Sequence, residues 1–321
     1  MNQRIAYLDF FRGLLILTVV AEHIIKMSIL ADGVLRHPIN NLFTSFNMVA
    51  FFILSGYMLH YSMKHMDTIY DVLNHIGKRA IQCLLPYIVW GWVLNYTFTG
   101  SYNILNYFDD LIMGRLQGLW FLLCLFIIDS IASIILVIGK HKLWQQVALS
   151  VIVEIILLLL KNVRIPILFN VYYYLPFFIM GWLINRCAWK SLYESPLIGG
   201  AWIILFLLLT PLFTFQESPL YLRVSIAISG TMALWFICSK IEQSKITGAF
   251  ELIGRYTLPI YCIHACMMSN VDLSMHTWVV YDFIRVGGLS IAIAFVCIGL
   301  SRVFSFSPVT DLLFNGHLKM K

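Results

Sequence analysis

Reading the chain for apolar runs broken by Gly, Pro, Asn and charged residues divides it into ten stretches: 10–29, 42–60, 80–98, 117–138, 145–160, 170–186, 197–214, 220–239, 256–271 and 283–304. A helix needs about 20 apolar residues to cross the hydrocarbon of a bilayer, and there only helices and closed barrels satisfy their backbone polar groups. The pattern predicts an all-α, polytopic transmembrane bundle of about ten helices, a single domain over residues 1–321 with no appended soluble domain. The fifth stretch is short and carries Glu154, and the ninth is interrupted by Pro259 and His264. The first contains Arg12, Glu22, His23 and Lys26 without a small-residue cleavage pattern, so it reads as a retained helix rather than a signal peptide. No internal repeat, heptad or low-complexity tract is visible.

Composition strengthens this picture. With 60% hydrophobic residues, 12% charged residues and a mean hydropathy of +0.83, the chain is no water-soluble globule. The net charge of +6 is mostly topological. The N-terminus, the even-numbered loops and the tail carry Arg4, Arg12, Lys64, Lys78, Arg79, Lys140, Lys142, Arg186, Lys190, Lys240, Lys245, Arg255, Arg302, Lys319 and Lys321. The opposite side carries Lys26, Arg36, Arg115, Lys161, Arg164, Arg223 and Arg285, a split of fifteen to seven. Cytoplasmic loops are enriched in Lys and Arg, so both termini are expected in the cytoplasm, and no nucleic-acid binding is expected. The seven cysteines lie in apolar runs with no CxxC pair; they read as small apolar side chains, with no disulfide or metal site.

The first stretch holds the most chemistry. Arg12 and His23 are eleven residues apart, three helical turns plus about 20°, so they share one face, separated by a rise of about 16 Å. Ile16 and Val19 lie between them. With the N-terminus inside, Arg12 sits at the cytoplasmic edge and His23 past the midplane. Ionisable groups at such depth face protein or a wet cavity, because a charge at the helix centre costs about 2.5–3.5 kcal/mol on insertion scales. Imidazole is the side chain best suited to take and return a proton near neutral pH. Spacing alone leaves two readings open: Arg12 snorkelling with His23 as a packing residue, or a functional pair.

The segment Tyr7-Leu8-Asp9-Phe10-Phe11-Arg12-Gly13, with His23 eleven residues after Arg12, resembles the first-helix signature of the membrane acyltransferase-3 family, particularly its short branch typified by fucose 4-O-acetylase-like proteins and related polysaccharide O-acetyltransferases. Phe51-Phe52-Ile53-Leu54-Ser55-Gly56-Tyr57 resembles the family's FFxxSGY stretch, and Gly118-Leu119-Trp120-Phe121-Leu122 its LWFL segment. Leu84-Leu85-Pro86-Tyr87 and Ile260-Tyr261-Cys262-Ile263-His264 resemble further family stretches, in the family's order. The resemblance implies a multi-pass enzyme of the bacterial cell membrane, moving an acyl group, commonly acetyl from acetyl-CoA as co-substrate, onto an extracytoplasmic glycan or lipid-linked precursor. It implies no permanently bound cofactor. His23 would activate the acceptor hydroxyl or handle the acyl group, and Arg12 would meet CoA phosphates, with the donor reaching inward along the Arg12 to His23 face.

Two departures stand out. The family often shows Arg-x-x-Arg after its second helix, whereas Lys78-Arg79-Ala80-Ile81-Gln82 keeps one arginine, so Lys78 and Arg79 read equally as phosphate contacts or positive-inside anchors. Relatives often carry Phe-His where Phe46-Asn47 stands, and Asn47 cannot serve as a base. Glu22 projects about 100° from His23 and is expected to pair with Lys26. Asn47, Trp120, His264, Asp129 and Glu154 are weaker candidates for substrate contact. The structural reading favours Asp129 and Glu154 as hydrogen-bond partners, His264 as a satisfied core histidine, Trp90, Trp92 and Trp120 as interfacial anchors and Ser55-Gly56 as close helix packing. Tyr172-Tyr173-Tyr174 suits sugar stacking and an aromatic belt equally. The competing class is an ion-coupled transporter using Asp129, Glu154 and His264, or a polysaccharide-export component.

Overall fold

The computed structural model describes residues 6–28, 38–63, 66–99, 104–116, 118–139, 142–160, 163, 165–214, 217–242, 244–268 and 279–317. Of the orientation charges, Arg4, Arg36, Lys64, Lys140, Lys161, Arg164, Lys319 and Lys321 lie outside these. The regular structure of the described residues is all helical, with no strand. In chain order the helices are α1 (Ala6–Ser28), α2 (Pro38–Thr44), α3 (Asn47–Met63), α4 (Ile69–Arg79), α5 (Leu85–Thr99), α6 (Ile104–Met113), α7 (Trp120–Ile138), α8 (Leu143–Leu159), α9 (Pro166–Arg186), α10 (Ser191–Glu194), α11 (Pro196–Leu209), α12 (Leu220–Lys240), α13 (Lys245–Arg255), α14 (Thr257–Met268), α15 (Val279–Phe304) and α16 (Pro308–Asn315). Among the described residues all ten predicted stretches coincide with helices, and five segments are long and apolar enough to cross a membrane by length and composition. Exposed Val151, Ile152, Ile155, Leu207, Leu208, Val296 and Val303 give α8, α11 and α15 apolar outer faces suited to lipid rather than water. The protein is an all-α integral membrane protein.

The helices sort into two compact units. The first comprises residues 1–51 and 189–300. Its core is α1, with Phe11, Leu15, Ile16, Val20, Ile24 and Ile25 fully buried, which is the mark of a helix surrounded by protein. Phe11 lies against Trp235 of α12 (ring centroids 5.7 Å apart), and Trp235 stacks on Tyr193 of α10 at 4.7 Å. The closest approach is between α1 and α13. A Cβ on Gly13 would sit 2.1 Å from the Phe250 carbonyl oxygen, and one on Gly254 only 1.8 Å from that of Asp9. Small residues let helix backbones meet where lipid supplies no hydrophobic drive to association.

The second unit comprises residues 52–188 and 301–321 and repeats the device. A Cβ on Gly56 of α3 would lie 1.8 Å from the Phe178 carbonyl oxygen, and one on Gly181 of α9 equally close to that of Ile53. Ser55-Gly56 thus serves helix packing, as expected. Between α4 and α5 the helix widens into a π turn over Ala80–Leu84, where the Leu85 N–H bonds the Ala80 carbonyl. Pro86 explains it: proline lacks an N–H and its ring crowds the carbonyl four residues back, that of Gln82.

Besides the single-turn α10, four helices lie outside the ten stretches yet are regular, because their apolar residues recur at helical spacing rather than in runs. They are α4, α6, α13 and α16, of which α4 and α13 start from capping boxes at Thr68 with Asp71 and Ser244 with Thr247. The last, α16, is tied back by Asn315, whose amide donates to the Ser301 carbonyl (3.0 Å) and Asp311 (2.8 Å), and by Ser305, which donates to Asp311 at 2.7 Å. Trp90 of α5 is 5% exposed and donates its indole N–H to the Phe314 carbonyl at 2.9 Å. It is a packing residue and not the interfacial anchor expected, because its one polar atom finds a partner inside the protein.

Two predictions follow from this packing. Gly254→Ala should destabilise the detergent-solubilised protein by at least the roughly 1–3 kcal/mol typical of overpacking, since the obstructing atom is backbone. Gly248→Ala on the same helix meets nothing within 4 Å and should be neutral or slightly stabilising. Thermal unfolding of the two variants checks this, and equal melting would refute the tight crossing. Burial pulls the Asp311 carboxyl upward, but bonds from Asn315, Ser305 and His317 outweigh it and leave its pKa below the ordinary value. Its stabilisation is therefore present above the unfolded value of about 3.9 and lost as pH falls through the folded one. Acidification below about pH 4 should release α16, read as a change in Trp90 fluorescence, and Asp311→Asn should abolish that pH dependence.

Candidate active site

In the first unit α1 delivers two polar clusters. At its start Asp9 is buried, with Arg12 Nη1 3.4 Å from one carboxylate oxygen and Arg255 Nε of α13 3.6 Å from the other. Arg255 also lies 3.6 Å from Glu251. The two guanidinium groups are 31% and 42% exposed while their shared carboxylate is 3% exposed, so the cluster presents cations outward over a buried anion.

Three turns on, His23 meets His264 of α14. His23 Nδ1 is 3.0 Å from His264 Nε2, with ring centroids 4.9 Å apart and planes at 38°. His264 is fully buried, and its Nδ1 is 2.9 Å from the Ile260 carbonyl oxygen. His23 keeps part of its surface exposed. Beside them Glu22 takes hydrogen bonds from Lys26, as expected, and from Asn47 Nδ2 at 2.6 Å. Asn47 Oδ1 in turn accepts from the Met48 N–H at 2.6 Å. Asn47 is thus a structural partner of Glu22, engaged at both ends of its amide. Ile16 and Val19 are 0% and 2% exposed, so the stretch between Arg12 and His23 on their shared face is filled by packed side chains and is no open groove for a donor.

The remaining candidates belong to the second unit. Asp129 of α7 is buried and accepts from or bonds to His75 Nε2 at 2.7 Å, with Arg79 Nε at 3.4 Å. Arg79 Nη1 also donates to Gln82 at 3.2 Å, the residue standing where relatives often carry a second arginine. Asp129 and Arg79 therefore neutralise each other, and Lys78 lies exposed on the neighbouring position of α4. Trp120 stacks on Tyr174 (5.5 Å, 26°), which stacks on Phe52 at 4.4 Å, so Tyr174 is spent on packing. Glu154 of α8 is partly buried, and its Oε2 finds no hydrogen-bond partner among the described residues.

Arg12 and His23 lie on one continuous helix, as their spacing requires, whereas Asp9, Arg255 and His75 were not among the sequence candidates for the site. Arg255 was counted as an orientation charge. The signal available was its position nine residues before His264, a second Arg and His pairing in the same chain.

No group of three or more His, Cys, Asp or Glu able to hold a metal occurs among the described residues. No solved structure matches the chain. Two curated relatives are both described as Nodulation protein NolL. The protein from Sinorhizobium fredii is 25% identical over 194 residues, covering 58% of this chain and 50% of that protein. The one from Mesorhizobium japonicum is 23% identical over 305 residues, covering 85% of this chain and 79% of the relative. The chain therefore spans about half the length of the first and most of the second. The acyltransferase domain model matches residues 5–306, a span that includes Arg12, His23, Arg255 and His264, and the chain belongs to the acyltransferase-3 family.

Proposed function

We propose that this membrane acyltransferase moves an acyl group, acetyl in the simplest case, from cytoplasmic acyl-CoA to a hydroxyl of an extracytoplasmic cell-envelope glycan or lipid-linked precursor, with both termini in the cytoplasm. The observation that carries the reading is His23, partly exposed and braced by a buried second histidine, in a chain of this family. His23 acts as general base: it takes the acceptor hydroxyl proton as that oxygen attacks the thioester carbonyl. The new O–C bond forms, the C–S bond breaks, and the imidazolium returns the proton to the departing thiolate.

Arg12 and Arg255 supply the donor end. A guanidinium suits bidentate phosphate contact, and both already lean on one carboxylate that holds them outward. The rise of about 16 Å from Arg12 to His23 is covered by the acyl arm of the donor. Because Ile16 and Val19 close the direct face, that arm runs beside it. In the second unit Arg79 is committed to Asp129, and Lys78 lies exposed on the neighbouring position.

His23→Ala should lower acyl transfer from radiolabelled acetyl-CoA to envelope glycan by about 10²–10⁴-fold at unchanged protein abundance, the range of general-base contributions. Transfer at the wild-type rate would sink the assignment. Arg12→Ala should raise KM for the donor about tenfold or more with a smaller change in kcat, since hydrogen bonds to charged groups are worth about 1.5–3 kcal/mol.

A further inference from the structure

We infer that His264 is a positioning residue that sets the tautomer of His23, holding its proton on Nδ1 and leaving the Nε2 lone pair to take the acceptor hydroxyl proton. This rests on the reading of His23 as general base and adds to it the partner that orients the base.

The assignment comes from counting donors and acceptors. A backbone carbonyl only accepts, so the 2.9 Å contact between His264 Nδ1 and the Ile260 oxygen requires the proton on His264 Nδ1. A neutral imidazole carries one N–H, so Nε2 of His264 holds a lone pair. A second proton there would create a charge on a fully buried side chain that no carboxylate bonds among the described residues, since Glu22 is taken by Lys26 and Asn47. His23 Nδ1, 3.0 Å away, must then be the donor. Its own neutral form leaves Nε2 unprotonated, on a residue that is only partly buried.

One backbone carbonyl thus sets the order of protons along the pair: Ile260 oxygen, His264 Nδ1–H, His264 Nε2, His23 Nδ1–H, His23 Nε2. The same logic orients a catalytic histidine against a carboxylate elsewhere, but here the orienting group is neutral, which suits a site inside a membrane.

The test uses the full chain in lipid nanodiscs, labelled with ¹⁵N-histidine and observed by solid-state NMR, with His23 and His264 assigned by their loss in His23→Gln and His264→Gln. The expected spectrum shows protonated Nδ1 and unprotonated Nε2 for both rings. His264→Leu, which removes the acceptor, should release the His23 tautomer and lower kcat by about 10²-fold or more, with KM for acetyl-CoA within about threefold. His264→Gln, whose side-chain oxygen can accept from His23 Nδ1–H, should keep the tautomer and recover most of kcat. Protonated Nε2 on His23 in the wild type overturns the inference. So does His264→Leu with wild-type kcat, or His264→Leu and His264→Gln equally impaired while the His23 tautomer stays unchanged. Full transfer by His23→Gln would instead overturn the base assignment, a result that the NMR signature does not depend on.

Discussion

The first unit depends on one backbone contact, the reciprocal crossing of Gly13 on α1 and Gly254 on α13. Each glycine leaves room for the other helix's carbonyl oxygen, so the two backbones meet with no side chain between them. The register of that contact decides the chemistry further along. His23 follows Gly13 by ten residues and His264 follows Gly254 by ten, so two chain segments that touch at the glycines and run the same way bring their histidines level. The turn at Tyr256 does not disturb this, because α14 resumes at once with Thr257 donating to the Gly254 carbonyl at 2.7 Å. Asp9, four residues before Gly13, and Arg255, one after Gly254, meet for the same reason.

A second constraint is that carboxylates inside a membrane protein need partners. Asp9 has Arg12 and Arg255, Glu22 has Lys26 and Asn47, Asp129 has His75 and Arg79, and Asp282 has Arg285 at 3.7 Å. Removing one member of such a buried pair is strongly destabilising, whereas the pair itself adds little net stability, so these residues mark where charge had to be accommodated rather than what holds the bundle together. Of the two acidic candidates, Asp129 is thereby accounted for as structure, which weakens the transporter reading for it. Glu154 alone among those candidates keeps an oxygen that no described residue bonds.

Much of this was legible in the sequence. Ten apolar runs became helices because a run of apolar residues has few other fates in lipid, and the Arg12 to His23 spacing survived because helix geometry is rigid. One kind of miss is the long-range pairing. Nothing in the spacing of Asn47 says that its amide will reach Glu22, or in Trp90 that Phe314 will return 224 residues later to accept its N–H. The amphipathic helices α4 and α13 were missed because segmentation by apolar runs passes over periodic ones. That oversight hid Arg255 and His75 together, since both lie on those helices.

On the proposal that His23 is the base, its neighbourhood also explains why the orienting partner is a second imidazole. Glu22 is adjacent in the chain but leaves the helix about 100° away, where Lys26 and Asn47 hold it. A carboxylate placed directly on His23 would strengthen the base, yet it would keep a permanent negative charge in a dry site between turnovers. A neutral histidine tied to a backbone carbonyl carries no resting charge. It still accepts the hydrogen bond that would stabilise imidazolium during transfer, so the histidine pair itself is charged only while a proton is in transit. In this sense Asn47, standing where relatives often carry histidine, contributes indirectly: by engaging Glu22 it leaves His264 as the group that orients the base.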